Sequence, residues 1–286
     1  MAGAKTRKRT ESLLAPKAAR ADAQAGTLDR GLAIVSVLSR ATRPLSLTAI
    51  AEATSLDPSS AHRLLKTLVR LDYAFKDEKS KRYVPGPRAL APISFVHPLH
   101  ELRRDAQGTM QELQRTSGLT IQLTVFVGDR RLVVDVRYGA ERLVPFYDTN
   151  LTRPLHPSAT GKLLLSTMAE ADWQRLLGNE PYASFTALTI TTRDGMRAEL
   201  ARTVERGYSR AIDEAIMGLT AIAAPIRNRD QVVIGCLAAY GPSQALRDTA
   251  LDEAATATRQ AADLMSFLAP SVQPLSGLLL ADADYE

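Results

Sequence analysis

Leu28, Leu32, Val35 and Leu38 recur at helical spacing, with Ile34 beside them, and predict an amphipathic helix over 28–41. Arg43-Pro44 breaks it. Ser46 is placed to cap a short second helix with Leu47, Ile50 and Ala51 facing inward. After the tight connection Thr54-Ser55-Leu56, Asp57 caps a third helix over 58–71. Pro58 takes its first position, where a missing N–H costs nothing. Ala61, Leu64, Leu65, Leu68 and Leu71 form its apolar stripe. The period then changes. Asp72-Tyr73-Ala74-Phe75-Lys76 and Arg82-Tyr83-Val84 predict two short strands about the polar turn Asp77-Glu78-Lys79-Ser80-Lys81. Three helices and a basic hairpin, closed by Pro85-Gly86-Pro87, is the order of a winged helix-turn-helix.

The rest of the chain is patterned differently. Pro92 and Pro98 interrupt a connector, and Leu102, Ala106, Met110 and Leu113 then place a helix over 100–116. Strands follow at 120–127 and 132–136 around Gly128-Asp129, with a third over 143–147. Helices are expected near 158–168, 170–177 and 193–206, with Trp173 in the core. Two more strands, 219–226 and 232–240, flank Asn228-Arg229-Asp230, and a helix over 246–268 closes the pattern. This is an α+β domain on a mostly antiparallel sheet. The expected organisation is a basic tail over 1–25, a winged head over 27–88, a linker and linker helix over 89–117, a second domain over 118–270, and a flexible tail over 271–286.

Charge sharpens this division. Residues 1–100 carry a net +9 and residues 101–286 a net −4. One domain is built to meet a polyanion and the other is not, although charge alone does not separate DNA from RNA or an acidic membrane surface. Cys236 is the only cysteine, so the chain has neither a disulfide framework nor a zinc motif, which suits a reducing cytoplasm. No apolar run is long enough to span a membrane, and the basic N-terminus lacks the apolar segment of a secretory signal.

The third helix has the dimensions of a major-groove reader. Its polar face offers Ser59, Ser60, His62, Arg63 and Lys66. Arg63 can pair with guanine, the serines can bond bases or phosphate, and Lys66 and Arg70 lie toward the backbone. Ser46 and Thr48 are placed to bond phosphate, and the hairpin brings Lys79, Lys81 and Arg82 to the flanking groove. The same polar spacing also describes an ordinary solvated helix.

In the second half, Gly161-Lys162 invites comparison with a phosphate-binding loop. That loop needs glycine where His156 stands and Ser or Thr after Lys162, so an NTPase is excluded. Ser158-Ala159-Thr160-Gly161 opens a helix whose free N–H groups can receive a carboxylate, or is simply a capped helix start. Asp213 and Glu214 are adjacent and point apart, which favours a structural role at a strand start over an acid–base pair. The four histidines are scattered and form no cluster with Cys or carboxylates, so neither a metal nor a cofactor is expected.

The run SSAHRLLKTLVRLDY, with the helices before it and the hairpin after it, resembles the DNA-binding half of the IclR family of bacterial regulators. RPLHPSATGKLLLS and GYSRAIDEAIMGLTAIAAPIRNRDQVVIGCLAAYGP resemble two segments of its effector half, so the likeness spans about 27–268. The resemblance implies a winged helix-turn-helix, a linker helix and a GAF/profilin-like α/β effector-binding domain. It also implies a ligand-responsive transcriptional regulator of catabolic genes, acting as a homodimer or dimer of dimers on palindromic double-stranded DNA. Effector contacts would fall on Ala159, Thr160 and Gly161, and on Ala211, Ala221, Ala238 and Tyr240. Several of these are alanine where small-acid sensors of the family carry Asp, Cys or Ser. A roomier apolar pocket with Tyr240 as polar handle is therefore expected, suited to an aromatic acid. Two other classes stay open: a non-specific nucleic-acid-binding or scaffold protein without effector, and an enzyme with a basic accessory head. No nucleophile–base constellation supports the enzyme.

Overall fold

The computed structural model describes residues 26–90, 97–140, 150–151 and 154–279. The chain forms two compact units that divide between Ser94 and Phe95. The expected basic tail 1–25, Pro92 and the strand at 143–147 lie outside the described residues.

In the first unit, α1 (Thr27–Arg40), α2 (Leu47–Thr54) and α3 (Pro58–Arg70) precede a hairpin of β1 (Ala74–Lys76) and β2 (Tyr83–Pro85) and a single turn, α4 (Pro87–Leu90). Local chemistry sets the ends. Ser46 Oγ accepts the Ala49 N–H at 3.2 Å, and Asp57 Oδ1 accepts that of Ser60 at 2.9 Å, each filling an orphan donor of a helix start. Ser55 stops α2 in the left-handed region at φ 56°. Ile34, Leu38, Ile50, Leu64, Leu65 and Tyr83 make the core. Tyr83 exchanges both backbone hydrogen bonds with Leu45, at 2.9 and 2.8 Å, and so fastens the hairpin to the α1–α2 loop.

Two expectations for this unit fail. Leu28 and Leu32 are 74% and 56% exposed. At about 100° of turn per residue, Ile34 and Leu38 lie roughly a third of a turn round α1 from Leu28 and Leu32, and it is Ile34 and Leu38 that meet the core. Leu71 is also exposed, because α3 ends at Arg70 and Asp72 turns the chain away at φ 61°.

The second unit opens with α5 (Pro98–Ser117), which Gly118 ends at φ 69°. A six-stranded sheet follows in the order β5-β4-β3-β8-β7-β6, every neighbouring pair antiparallel. Its strands are β3 (Thr120–Val127), β4 (Arg130–Arg137), β5 (Asn150–Leu151), β6 (Ser209–Ile212), β7 (Leu219–Arg227) and β8 (Val233–Pro242). Side chains alternate between its faces. One face sets Ile121, Leu123, Val125, Ile222 and Leu237 against Leu102 and Met110 of α5 and Leu251 and Met265 of α9 (Asp248–Leu268). The other sets Phe126, Ala211, Ala221, Ala223, Cys236, Ala238 and Tyr240 against Ala159, Leu163 and Leu164 of α6 (Ala159–Leu165). Behind α6, α7 (Glu170–Leu177) and α8 (Arg193–Arg206) join it around Trp173, Leu165, Met196 and Leu200.

Three elements depart from the sequence reading. β6 is a four-residue edge strand that lacks a β-branched run. Asp213 and Glu214 follow its end rather than open a strand. Residues 272–279, expected as flexible tail, form α10 (Val272–Leu279), which buries Val272 and Leu275.

Candidate functional site

On the first unit, α3 turns His62, Arg63 and Lys66 to solvent, with Thr48 of α2 and Lys79 of the hairpin also exposed. The other predicted contacts are partly engaged within the protein. Ser59 Oγ donates to Asp57 Oδ1 at 2.6 Å, and Ser60 is half-buried beside it. These hydrogen bonds hold the Asp57 carboxyl well below the usual carboxylate range. Ser46 serves the α2 cap. Lys81 Nζ lies 2.8 Å from Glu78 Oε2, and Arg82 Nη1 donates to the Pro44 carbonyl at 3.1 Å. These two cations brace the hairpin, whereas Arg63 and Lys66 stand exposed on α3.

On the second unit, Ala159, Thr160, Gly161, Ala211, Ala221, Ala238 and Tyr240 are all buried. They gather where α6 meets the small-residue face of the sheet. Gly161 has a steric reason: a Cβ there would lie 2.1 Å from the Leu155 carbonyl oxygen. Ser209 Oγ donates to the Ala159 carbonyl at 2.7 Å and pins the start of α6 to β6. Five of the seven, Ala159, Ala211, Ala221, Ala238 and Tyr240, pack against one another in one buried cluster. Two clefts elsewhere, of about 340 Å³ beside His156 and about 360 Å³ beside Asp213 and Arg247, are lined by none of the seven. The start of α6 carries a side-chain cap. The helix is one seven-residue segment, and Ser158 Oγ already accepts the Gly161 N–H at 3.2 Å.

The cationic group at this place is one that sequence reasoning missed. Arg131 of β4 is 3% exposed, and its Nη1 donates to Ser158 Oγ at 2.7 Å and Thr160 Oγ1 at 2.9 Å. Its charge reaches Cys236, whose thiol burial pushes up to about 12 while Arg131 and the Thr124 hydroxyl pull the other way. Gln122 and Thr124 lie fully buried on the same face, joined by an Nε2 to Oγ1 hydrogen bond of 2.7 Å. The available signal was an arginine in phase with Val133 on the buried side of β4.

Lys162 has a structural task. Its ammonium is fully buried and donates to Glu214 Oε1 at 2.5 Å and the Arg210 carbonyl at 3.0 Å, with Glu199 Oε1 at 3.7 Å. Arg206 and Arg202 close on Glu199 at 2.9 and 3.1 Å. Burial raises the Glu214 carboxyl against the pull of Lys162. For Glu199 burial pushes the same way, but Lys162 and Arg206 outweigh it and the carboxyl is lowered. His156 Nε2 meets the Ala183 carbonyl at 2.8 Å, and burial lowers its pKa.

Among the described residues no helix is long and apolar enough to cross a membrane. The IclR helix-turn-helix domain model matches residues 27–78, and the model of the bacterial transcriptional regulator IclR C-terminal domain matches 95–267. The chain is 28% identical to the HTH-type transcriptional regulator XynR of Escherichia coli K12, over 74% of this chain and 84% of XynR. It is 29% identical to the regulator BhcR of Paracoccus denitrificans, over 84% of this chain and 86% of BhcR. A crystal structure of an IclR homolog from Microbacterium hydrocarbonoxydans, complexed with 4-hydroxybenzoate, superposes with a TM-score of 0.70 at 22% identity, covering 87% of this chain and 98% of that one. With a family helix-turn-helix in its first unit and the family's C-terminal domain in its second, the chain belongs to the IclR family of bacterial transcriptional regulators.

Proposed function

We propose that this regulator binds a palindromic operator as a homodimer or dimer of dimers in the cytoplasm, and that an organic acid bound on the α6-facing side of its sheet changes its operator affinity. It has no catalytic task in this reading. The head over 27–88 reads double-stranded DNA through α3. Arg63, with His62, Ser59 and Ser60, meets bases, and Lys66, Thr48, Ser46, Lys81 and Arg82 meet phosphates. Leu28 and Leu32, exposed on α1, are an apolar pair that a second copy would cover.

The effector domain over 118–270 follows the linker region 89–117. The observation that carries the effector reading is the Arg131 guanidinium, buried at the small-residue face and directed at Ser158 and Thr160. A buried guanidinium recognises carboxylates through charge-assisted hydrogen bonds, and the alanines of this face give it small apolar neighbours. The relative crystallised with 4-hydroxybenzoate suggests aromatic acids as the first class to try.

The test is fluorescence anisotropy on an operator fragment, titrated with aromatic and aliphatic acids. Arg63→Ala should lose about 1–3 kcal/mol of operator affinity and relax sequence preference. Arg131→Met should bind operator normally and ignore the acid. An Arg131→Met protein that responds like the parent contradicts the reading.

A further inference from the structure

We infer that the cleft beside His156 is a second small-molecule site, one that takes an uncharged aromatic molecule carrying an N–H donor, such as an aryl amide. It shares no lining residue with the predicted effector contacts, and the inference does not rest on them. The cleft holds about 340 Å³, near the lower end of the range for small-ligand sites. Its apolar wall comes from Leu155 ahead of α6, Leu177 at the end of α7 and Pro181 beyond it. Tyr182 lines it as well and is 5% exposed. The Tyr182 hydroxyl is buried without a partner among the described residues, so the tyrosine offers the cleft its ring and not its polar tip.

His156 supplies the directional group. It is 4% exposed and lines the same cleft, its ring centroid 5.5 Å from that of Tyr182. Nε2 lies 2.8 Å from the Ala183 carbonyl, which only accepts, so Nε2 carries the proton of the ring. Burial lowers the pKa and favours the neutral ring, which leaves Nδ1 as an acceptor. Nδ1 has no partner among the described residues, and unlike the Tyr182 hydroxyl it is not sealed from solvent. A ligand group that meets it must therefore donate. Charge decides the rest. Among the lining residues only Asp129 and Arg130 are charged, and they pair with each other at 3.2 Å. A carboxylate entering here would lose water and find no free cation. An amide loses less water, gains the hydrogen bond to Nδ1, and sets a flat ring against those of His156 and Tyr182.

Isothermal titration of the whole chain with benzamide, acetophenone and benzoate tests this, because the three share one shape and differ in donor and charge. The parent should bind benzamide about tenfold more tightly than acetophenone, the worth of one hydrogen bond. In Arg131→Met, which lacks the effector-side cation, benzamide should bind as it does to the parent and benzoate should not compete with it. With isotope-labelled histidine, the Nδ1 resonance of His156 in the unmutated protein should move upfield with benzamide and stay in place with acetophenone. His156→Phe, which keeps a flat ring, should bind benzamide and acetophenone within about twofold of each other. Should that variant fail to fold, the Nδ1 resonance decides alone. The inference is overturned by a benzamide preference that persists in His156→Phe, by an Nδ1 resonance that does not respond, or by benzoate competing in Arg131→Met. Loss of benzamide binding in Arg131→Met, or no binding to the parent at tens of millimolar, overturns it too. Each of these leaves the acid response of the effector face to its own test.

Discussion

The two faces of the six-stranded sheet are made by the same strands yet built of different material. Toward α5 and α9 they present Ile121, Leu123, Val125, Ile222, Ile226 and Leu237, large aliphatics that interlock. Toward α6 they present alanines, Cys236, Tyr240, two buried threonines, Gln122 and Arg131. Because side chains alternate, each strand serves both faces, and adjacent residues such as Ala238 and Ala239 answer to different demands. The first face optimises dispersion and apolar burial. The second gives up both in exchange for small side chains and buried polar groups. In the proposed function, stability and specificity are divided across a single sheet.

Mutation can break that division, and the largest effect is expected at its edge. Lys162→Met leaves Glu214 and Glu199 buried without their shared cation, so urea denaturation should show a loss of about 3–5 kcal/mol. A Lys162→Met/Glu214→Leu double variant should recover part of it. On the aliphatic face, Ile222→Ala should cost about 2–4 kcal/mol in the same measurement, while the folded protein keeps its operator affinity and acid response. The smallest effect is expected at His156. Burial depresses its folded pKa below the ordinary 6.5, so the stability it contributes is present above that pH and is lost as the pH falls below it. Melting temperature should decline between pH 7.5 and 5.5, and His156→Gln should flatten the decline. An unchanged slope would mean the ring is not held neutral.

The head was largely legible because its instructions are local. Ser46, Asp57 and Pro58 announce two helix starts within a few residues of where they act, and the shift from period 3.6 to period 2 marks the hairpin. The stripe of α1 misled because its five apolar positions lie on two neighbouring faces, and only packing decides which is buried. The long strands β3, β4, β7 and β8 of the second unit were legible, but their faces were not. A strand buried on both sides reads as one apolar run, so an arginine at 131 or a glutamine at 122 does not declare its side until the register is known. The Lys162–Glu214 contact joins residues 52 apart in sequence, beyond any local pattern. The short edge strand β6 carries too little periodicity to stand out.

The central claim, that the α6-facing side recognises a ligand and the opposite side only packs, is tested most directly by two adjacent substitutions. Ala238→Val fills the small-residue face and Ala239→Val crowds the aliphatic one. Acid-induced release from an operator fragment, followed by fluorescence anisotropy, should disappear in Ala238→Val with operator affinity retained. It should persist in Ala239→Val, whose penalty of about 1–3 kcal/mol appears as lost stability. Normal release in Ala238→Val, or equal loss of release in both variants, would contradict the account.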